Sequence, residues 1–448
     1  MKKLLLLLLL APWQISNAEQ RAPKETFYVD PSYNSQPKKA WTFIVYMASD
    51  NDLFYFTKRN LDDMKKAGSN NNLNIVVQMD PTGIEGRTKR LYVTKDKIYQ
   101  TNYSQPSSFE KQDVGNPQTL IDCCEWAIKN YPADNYALIL WNHGSGILDS
   151  VGGKLSNATA LFRFNPATAM LELDRSISFL HFAQAREDKR GVCFSDTYGT
   201  FLTNQKLEYA LSRIINMLPK KKLDLVGFDA CLMGMVEIAN LLKPYVSVMV
   251  GSQEVELGTG WPYDTVLKPL TQQALSAQEF GVHITKAFSD LYKPITPDYT
   301  FSCIDLTKIN TLEKAIDAFS SDILEALTYQ EYDSVYRVLK TARAKNTCTH
   351  FSEPSYIDLD HFLKNVGESI PRMTINYAKQ GIKENLKSSI NAVRTAIQSC
   401  VLSSINGKNV VNAKGLSIYF PLYFIDKTYY QTSFVQETKW LNVLQRAL

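Results

Sequence analysis

Two short runs of this sequence combine residue types able to break a covalent bond. In "ALILWNHGSG" (residues 137–146) an apolar run ends in His143 and Gly144, and in "LDLVGFDACLMGM" (residues 223–235) another ends in Asp229, Ala230 and Cys231. A cysteine and a histidine on neighbouring strand ends suit a thiol nucleophile: the thiolate attacks a carbonyl carbon, and the imidazole manages the proton on the departing group. A free thiol titrates near ~8.5 and a nearby imidazolium lowers that, so Cys231 is expected to hold a useful thiolate fraction at neutral pH. Without a side chain, Gly144 lets its backbone N–H approach a substrate carbonyl, and with the N–H of Cys231 it would form an oxyanion hole, each donor contributing roughly 3 kcal/mol. Asp229 lies two residues before Cys231 and so shares a face with it on an extended strand end. A carboxylate there attracts an Arg or Lys side chain, Arg gaining a two-pronged hydrogen bond. The competing role for Asp229 is N-cap of a helix in "CLMGMVEIANLL".

Each signal alone is weak, since a histidine at a strand end is more often structural and a cysteine after an apolar strand is more often core. Together they form a rarer pattern. His181, His283, His350 and His361 lie in helical or loop contexts and read as structural.

The elements that must position these residues follow from periodicity. "AWTFIVYMASDND" reads as a buried strand stopped by a polar turn, "LFYFTKRNLDDMKKAG" as a helix closed by Gly68, and "LNIVVQMD" as a strand broken by Pro81. "RLYVT" adds a short strand, residues 117–130 a helix, "YALILW" a strand, residues 204–218 a helix, and "LDLVGF" and "VSVMVGS" two further strands. Short apolar strands alternating with amphipathic helices indicate an α/β domain with a mostly parallel central sheet flanked by helices. In such sheets ligands meet the carboxyl ends of the strands, where "NHG" and "DAC" both stand. The catalytic domain is placed at residues 39–290, with 147–190 an inserted loop of little period. Residues 19–38 form an extended lead-in and 291–448 a C-terminal helical and strand extension packed on the domain.

At 448 residues, 45% hydrophobic and 21% charged, the chain reads as globular. Residues 1–18, with Lys2, Lys3, an apolar run over residues 4–10 and "SNA" before the cut, read as a secretory signal peptide, so the mature chain is expected to be exported, periplasmic or secreted. Losing two lysines and no acid lowers the formal charge from +4 to +2, which gives no support to nucleic-acid or membrane-surface binding. Seven cysteines leave one over in an oxidising compartment. With Cys231 set aside as nucleophile, up to three disulfides are open, Cys348 with Cys400 a plausible pair; the alternative is that several are buried free thiols. No C-x-x-C or H-E-x-x-H spacing suggests a metal site, and no cofactor is required. The acidic loops "ASDND" and "SDTYG" leave calcium open as an expectation.

"WTFIVYMASDNDL", "LILWNHGSG", "VCFSDTYGTFLT", "LVGFDACLMGMVEIA" and "GSQEVELGTGWPYD", with "YIDLDHFL" and "GLSIYFP", together resemble the clostripain family of cysteine peptidases, relatives of gingipains, legumains and caspases. The resemblance implies a caspase-like α/β fold and endopeptidase activity after basic residues of protein or peptide substrates. It makes His143 the catalytic histidine, Cys231 the nucleophile and Asp229 the acid of the specificity pocket. The loop bearing Ser252, Gln253, Thr259 and Trp261 is expected to form another wall, Trp261 its flat apolar side. Relatives of strong basic preference use a second acid in this region; Thr259 stands there, so Glu254 or Glu256 would have to compensate, and Arg against Lys stays open. The family also implies activation by cutting between the two strands, with Lys154 the first choice for self-cleavage. A catalytically silent binding protein on the same scaffold and a non-peptidase thiol amidohydrolase are the competing functions.

Overall fold

The computed structural model describes residues 25–83, 86–102, 110–149, 162–165, 170–173, 191–327, 332–373 and 381–448. The signal peptide expected at residues 1–18 and Lys154 both lie outside them.

The chain first builds five strands: β1 (Lys39–Met47), β2 (Leu73–Met79), β3 (Lys89–Thr94), β4 (Lys97–Gln100) and β5 (Ala133–Trp141). Two short hairpins follow, β6 (Phe162–Asn165) with β7 (Met170–Leu173) and β8 (Val192–Ser195) with β9 (Thr200–Leu202); the first gives regular structure to the stretch read as a loop of little period. Then come β10 (Leu223–Asp229), β11 (Val246–Gly251), β12 (Thr300–Asp305), β13 (Tyr356–Asp358), β14 (Val401–Asn406) and β15 (Ser417–Tyr419). Nine of them form one sheet in the order β14-β12-β11-β10-β5-β1-β2-β3-β4. Its centre, β11-β10-β5-β1-β2, is parallel, and antiparallel strands close both margins.

Helices cover both faces, which is why the central strands carry apolar residues at nearly every position. On one face Trp41, Phe43, Val45, Ile139 and Leu225 pack with the apolar stripes of three helices, Thr57–Ala67, Tyr263–Gln272 and Ala277–Tyr292. On the other, Ile44, Leu138, Leu140, Val226 and Phe228 pack with Pro117–Asn130, Asn204–Ile214 and the helices beyond residue 308. The boundary set at residue 290 runs through this sheet, since β12 and β14 hydrogen-bond into it beside β11. Gly68 ends its helix in the left-handed region at φ 67°, where the N–H reaches the Met64 carbonyl.

Candidate active site

Register fixes the two reactive segments. Asp229 on β10 stands opposite Trp141 on β5, and the Asn142 N–H donates to the Asp229 carbonyl at 3.2 Å. Two residues further, His143 and Cys231 leave adjacent strand ends at matching height, and both line one narrow cavity of about 20 Å³ with Leu53, Trp141, Asp229 and Glu256. Asn142 holds the histidine segment in place by accepting from the Phe194 N–H at 2.8 Å and donating to the Ala48 carbonyl.

His143 is 8% exposed, and its Nε2 lies 2.6 Å from Oδ1 of Asp52. A carboxylate only accepts, so Nε2 carries the proton. Sequence reasoning missed Asp52, although its signal was present in "ASDND": β1 lies beside β5, so an acid just past the end of β1 falls near the end of β5. Asn51 sets the turn that presents it, its side chain accepting from the Leu53 N–H at 3.0 Å.

The other acid of that loop is held by protein groups. Asp50 is fully buried; it accepts from Ser195 Oγ (2.5 Å), Thr197 N (3.0 Å) and Thr197 Oγ1 (2.8 Å), and Lys111 Nζ sits 3.0 Å away. Among the described residues no group of three or more His, Cys, Asp or Glu is placed to hold a metal ion.

Cys231 is the one cysteine that reaches the surface; Cys123, Cys124, Cys193, Cys303, Cys348 and Cys400 are buried, and all seven are free thiols. The Cys348–Cys400 disulfide is therefore corrected: Cys348 lies against the Asp358 carbonyl and Cys400 against the carbonyl of Ile397, one helical turn back. Burial pushes the Cys231 thiol up to about 12, with Glu256, Glu254 and Asp229 adding to it, against a Glu256 N–H donated to Sγ at 3.4 Å. The Glu256 carbonyl stands 3.9 Å from the same sulfur, so the backbone of one residue brackets the thiol. Directly after it, Leu232 takes φ 66°, a left-handed conformation uncommon for a bulky residue and typical of tightly constrained sites.

Gly144 packs against the nucleophile's backbone: a Cβ there would come 2.5 Å from the Cys231 carbonyl oxygen. Asp229 does not cap the following helix, which begins at Val236 behind Met235. Its Oδ2 accepts instead from Tyr263 Oη at 2.8 Å and the Trp261 N–H at 3.4 Å. Gly260, at φ 63°, closes over this carboxylate, and a Cβ would meet Oδ2 at 2.7 Å.

The remaining wall residues need correction, because none of them lines the cavity. Ser252 pairs with Thr300 Oγ1 at 3.0 Å, and Gln253 donates to Asp358 at 3.0 Å while accepting the Gly415 N–H at 3.0 Å; both brace the loop. Thr259 is buried and offers its carbonyl to Asn60 Nδ2 at 3.0 Å. Trp261 sits behind the pocket acids, its Nε1 donating to Glu256 Oε2 at 3.2 Å and its ring edge-on to Phe301. Glu254 is turned to the Val255 and Ser352 N–H groups, at 2.8 and 3.1 Å. Of the two candidate compensating acids, Glu256 alone reaches the cavity. His283, His350 and His361 bond locally, as structural histidines should, and His181 falls outside the described residues.

The sequence profile of the clostripain family matches residues 45–169 and 180–446. The chain belongs to the clostripain family. It is 22% identical to clostripain of Hathewaya histolytica over 276 residues, 56% of this chain, and the match spans 46% of that relative's length. Among solved structures, an inactive zymogen C11 protease from Parabacteroides distasonis superposes with a TM-score of 0.59 at 19% identity, covering 90% of this chain and 99% of the other. A secreted C11 cysteine protease from Bacteroides thetaiotaomicron, solved with an irreversible peptide inhibitor, gives 0.58 at 18% over 90% of this chain and 99% of its own. These likenesses establish the caspase-like fold. Within the clostripain family's fold, Cys231, His143 and Asp229 occupy the strand ends at which the motifs were read.

Proposed function

We propose that this clostripain-family chain is a cysteine endopeptidase that cleaves protein or peptide substrates after Arg or Lys. The observation that carries the reading is the convergence of Cys231, His143 and Asp229 on one cavity at the carboxyl ends of β5 and β10. Asp52 keeps the His143 proton on Nε2, which leaves Nδ1 as the basic nitrogen. Nδ1 takes the thiol proton as Cys231 attacks the carbonyl carbon, the oxyanion is met by the N–H groups of Gly144 and Cys231, and the imidazolium returns the proton to the leaving amine. Water then hydrolyses the thioester by the same route. Asp229 draws the basic side chain into place.

The cavity is too small for an Arg side chain, and Glu256 brackets the sulfur. The 254–260 loop must therefore move aside before substrate binds, which also hydrates the thiol and relieves the burial that keeps it protonated. The likeness to a zymogen supports activation by a cut, with Lys154 the proposed site. The signal sequence and the likeness to a secreted protease support export. Fluorogenic peptides ending in Arg, Lys or neutral residues test the reading. Turnover of the basic reporters, lost in Cys231→Ala and His143→Ala, supports it; turnover retained in Cys231→Ala overturns it, and binding without turnover in wild type favours a silent scaffold.

A further inference from the structure

Arg343 ends the helix Tyr332–Arg343 and is 1% exposed. Its Nη2 donates to the Pro354 carbonyl at 3.2 Å. Nε and Nη1, which carry three of a guanidinium's five N–H groups, are buried with no acceptor. Among the described residues no carboxylate pairs with this cation. The Phe420 ring, its centre 5.4 Å from Cζ, attracts the charge but offers no acceptor atom, and the helix C-terminus supplies only a partial negative charge. A histidine beside it also calls for positive charge. Both ring nitrogens of His350 face carbonyl oxygens, Nδ1 that of Pro354 at 2.9 Å and Nε2 that of Arg343 at 2.6 Å. A neutral imidazole donates from one nitrogen only, so both contacts are satisfied only in the imidazolium. Burial opposes that second proton, as do the charges of Arg343 and Lys345, and His350 is held below its ordinary value. A buried cation with free donors costs free energy unless an anion or another acceptor fills the place.

We infer that Arg343 holds a chloride ion on its free N–H groups, beside Phe420 and His350, in a site separate from the catalytic cavity. A chain-borne carboxylate needs an open path for its backbone, and a guanidinium this enclosed provides none. A chloride accepts from N–H groups in any direction, and its single charge matches the single guanidinium. The way in is short, since Tyr423, near enough to act on the Arg343 charge, is 82% exposed. An anion there also favours the His350 proton that two carbonyls demand. The same stretch of chain braces the candidate active site: the Ser352 N–H donates to Glu254 Oε1 at 3.1 Å, and Tyr356 Oη donates to the Ser145 carbonyl at 2.6 Å. Chloride thus fastens the helix end to the segment that supports the histidine turn.

The probes are sodium chloride and sodium gluconate at equal ionic strength, gluconate being too large to enter. Melting temperature should rise by at least ~2 °C in chloride over gluconate and saturate with concentration. Hydrogen exchange at residues 348–356 should slow at least threefold in chloride. Crystals soaked in bromide should show anomalous density within hydrogen-bonding distance of Arg343 Nε or Nη1. Arg343→Met, which keeps much of the bulk, should lose the chloride-specific rise, and Arg343→Lys should keep part of it. Where Arg343→Met does not fold, the bromide crystals and the wild-type titration still decide. Equal melting in chloride and gluconate, or no bromide at Arg343, overturns the inference. A chloride-specific rise that persists in Arg343→Met puts the ion elsewhere and overturns it as well. None of these measurements uses turnover, so the peptidase reading stands or falls separately.

Discussion

Asp52 Oδ1 meets His143 Nε2 at 2.6 Å, joining the turn after β1 to the end of β5 across neighbouring strands. The contact fixes both the ring orientation and the tautomer, and it is a charge-assisted bond at the short end of the usual range. In the proposed mechanism Asp52 is thus a positioning residue, acting on substrate through His143.

Replacing Asp52 with Asn keeps the shape but allows the amide to bond the other tautomer. We expect kcat/KM of Asp52→Asn to fall by roughly 10²- to 10⁴-fold, mostly in kcat, the range in which a misplaced imidazole proton acts. The pH–rate profile should shift as well, and Asp52→Glu should restore part of the rate. A merely structural Asp52 would lower the melting temperature without moving the profile.

Native protein treated with iodoacetamide should gain no more than one label, on Cys231 and slowly while burial keeps its thiol protonated, and the denatured chain seven, as counted by intact mass and peptide mapping. Because none of the thiols is paired, dithiothreitol should leave the melting temperature unchanged. A reductant-induced drop of several degrees would show a disulfide and contradict the free thiols.

Gly260 combines φ 63° with a 2.7 Å approach of any Cβ to Asp229 Oδ2. Gly260→Ala should therefore cost about 1–3 kcal/mol of stability in strain alone, and displace the pocket acid. Turnover of Arg reporters should fall at least tenfold. Gly199, also left-handed at φ 67° but with open space around it, is the comparison: Gly199→Ala should lose stability to strain and keep its turnover.

Besides Asp229 and Glu256, four buried carboxyls give stability a pH slope. Burial raises Asp80, Asp149 and Glu237 to about 7 and Asp358 to about 6. The folded chain keeps protons that the unfolded chain releases near pH 4, so this stabilisation is full below pH 4 and is lost as the pH rises toward 7. Melting temperature should fall by at least ~2 °C between pH 5 and 8. Glu237→Gln, which preserves an acceptor for the Tyr419 N–H and the Tyr429 hydroxyl, should flatten the slope. A melting temperature that climbs from pH 5 to 8 would contradict this.

The parallel centre of the fold was legible because strands buried on both faces are written as unbroken apolar runs, and "YALILW" and "LDLVGF" end where the register places His143 and Cys231. The pocket wall was less so. Trp261 read as a flat face, yet an indole N–H seeks an acceptor, and here it finds Glu256. Side-chain direction in an irregular loop depends on backbone turns such as Gly260 that no periodicity encodes. Asp52 was hidden differently: its partner is 91 residues away, and only strand order makes them neighbours. Of the two readings of the cysteines, buried free thiols hold and the Cys348–Cys400 pair does not, because packing at those two sites, not the compartment, sets their state.

The turn behind the nucleophile is tied down by the far end of the chain: the Ser417 N–H donates to the Gly234 carbonyl at 2.9 Å, and β14, at residues 401–406, closes the edge beyond β12. A ribosome completes Cys231 almost two hundred residues before it completes β15, whose Ser417 braces the turn behind it, by roughly ten to forty seconds at ordinary translation speeds. Throughout that interval the nascent chain carries Cys231 and His143 without the strand that ties down the turn behind the cysteine.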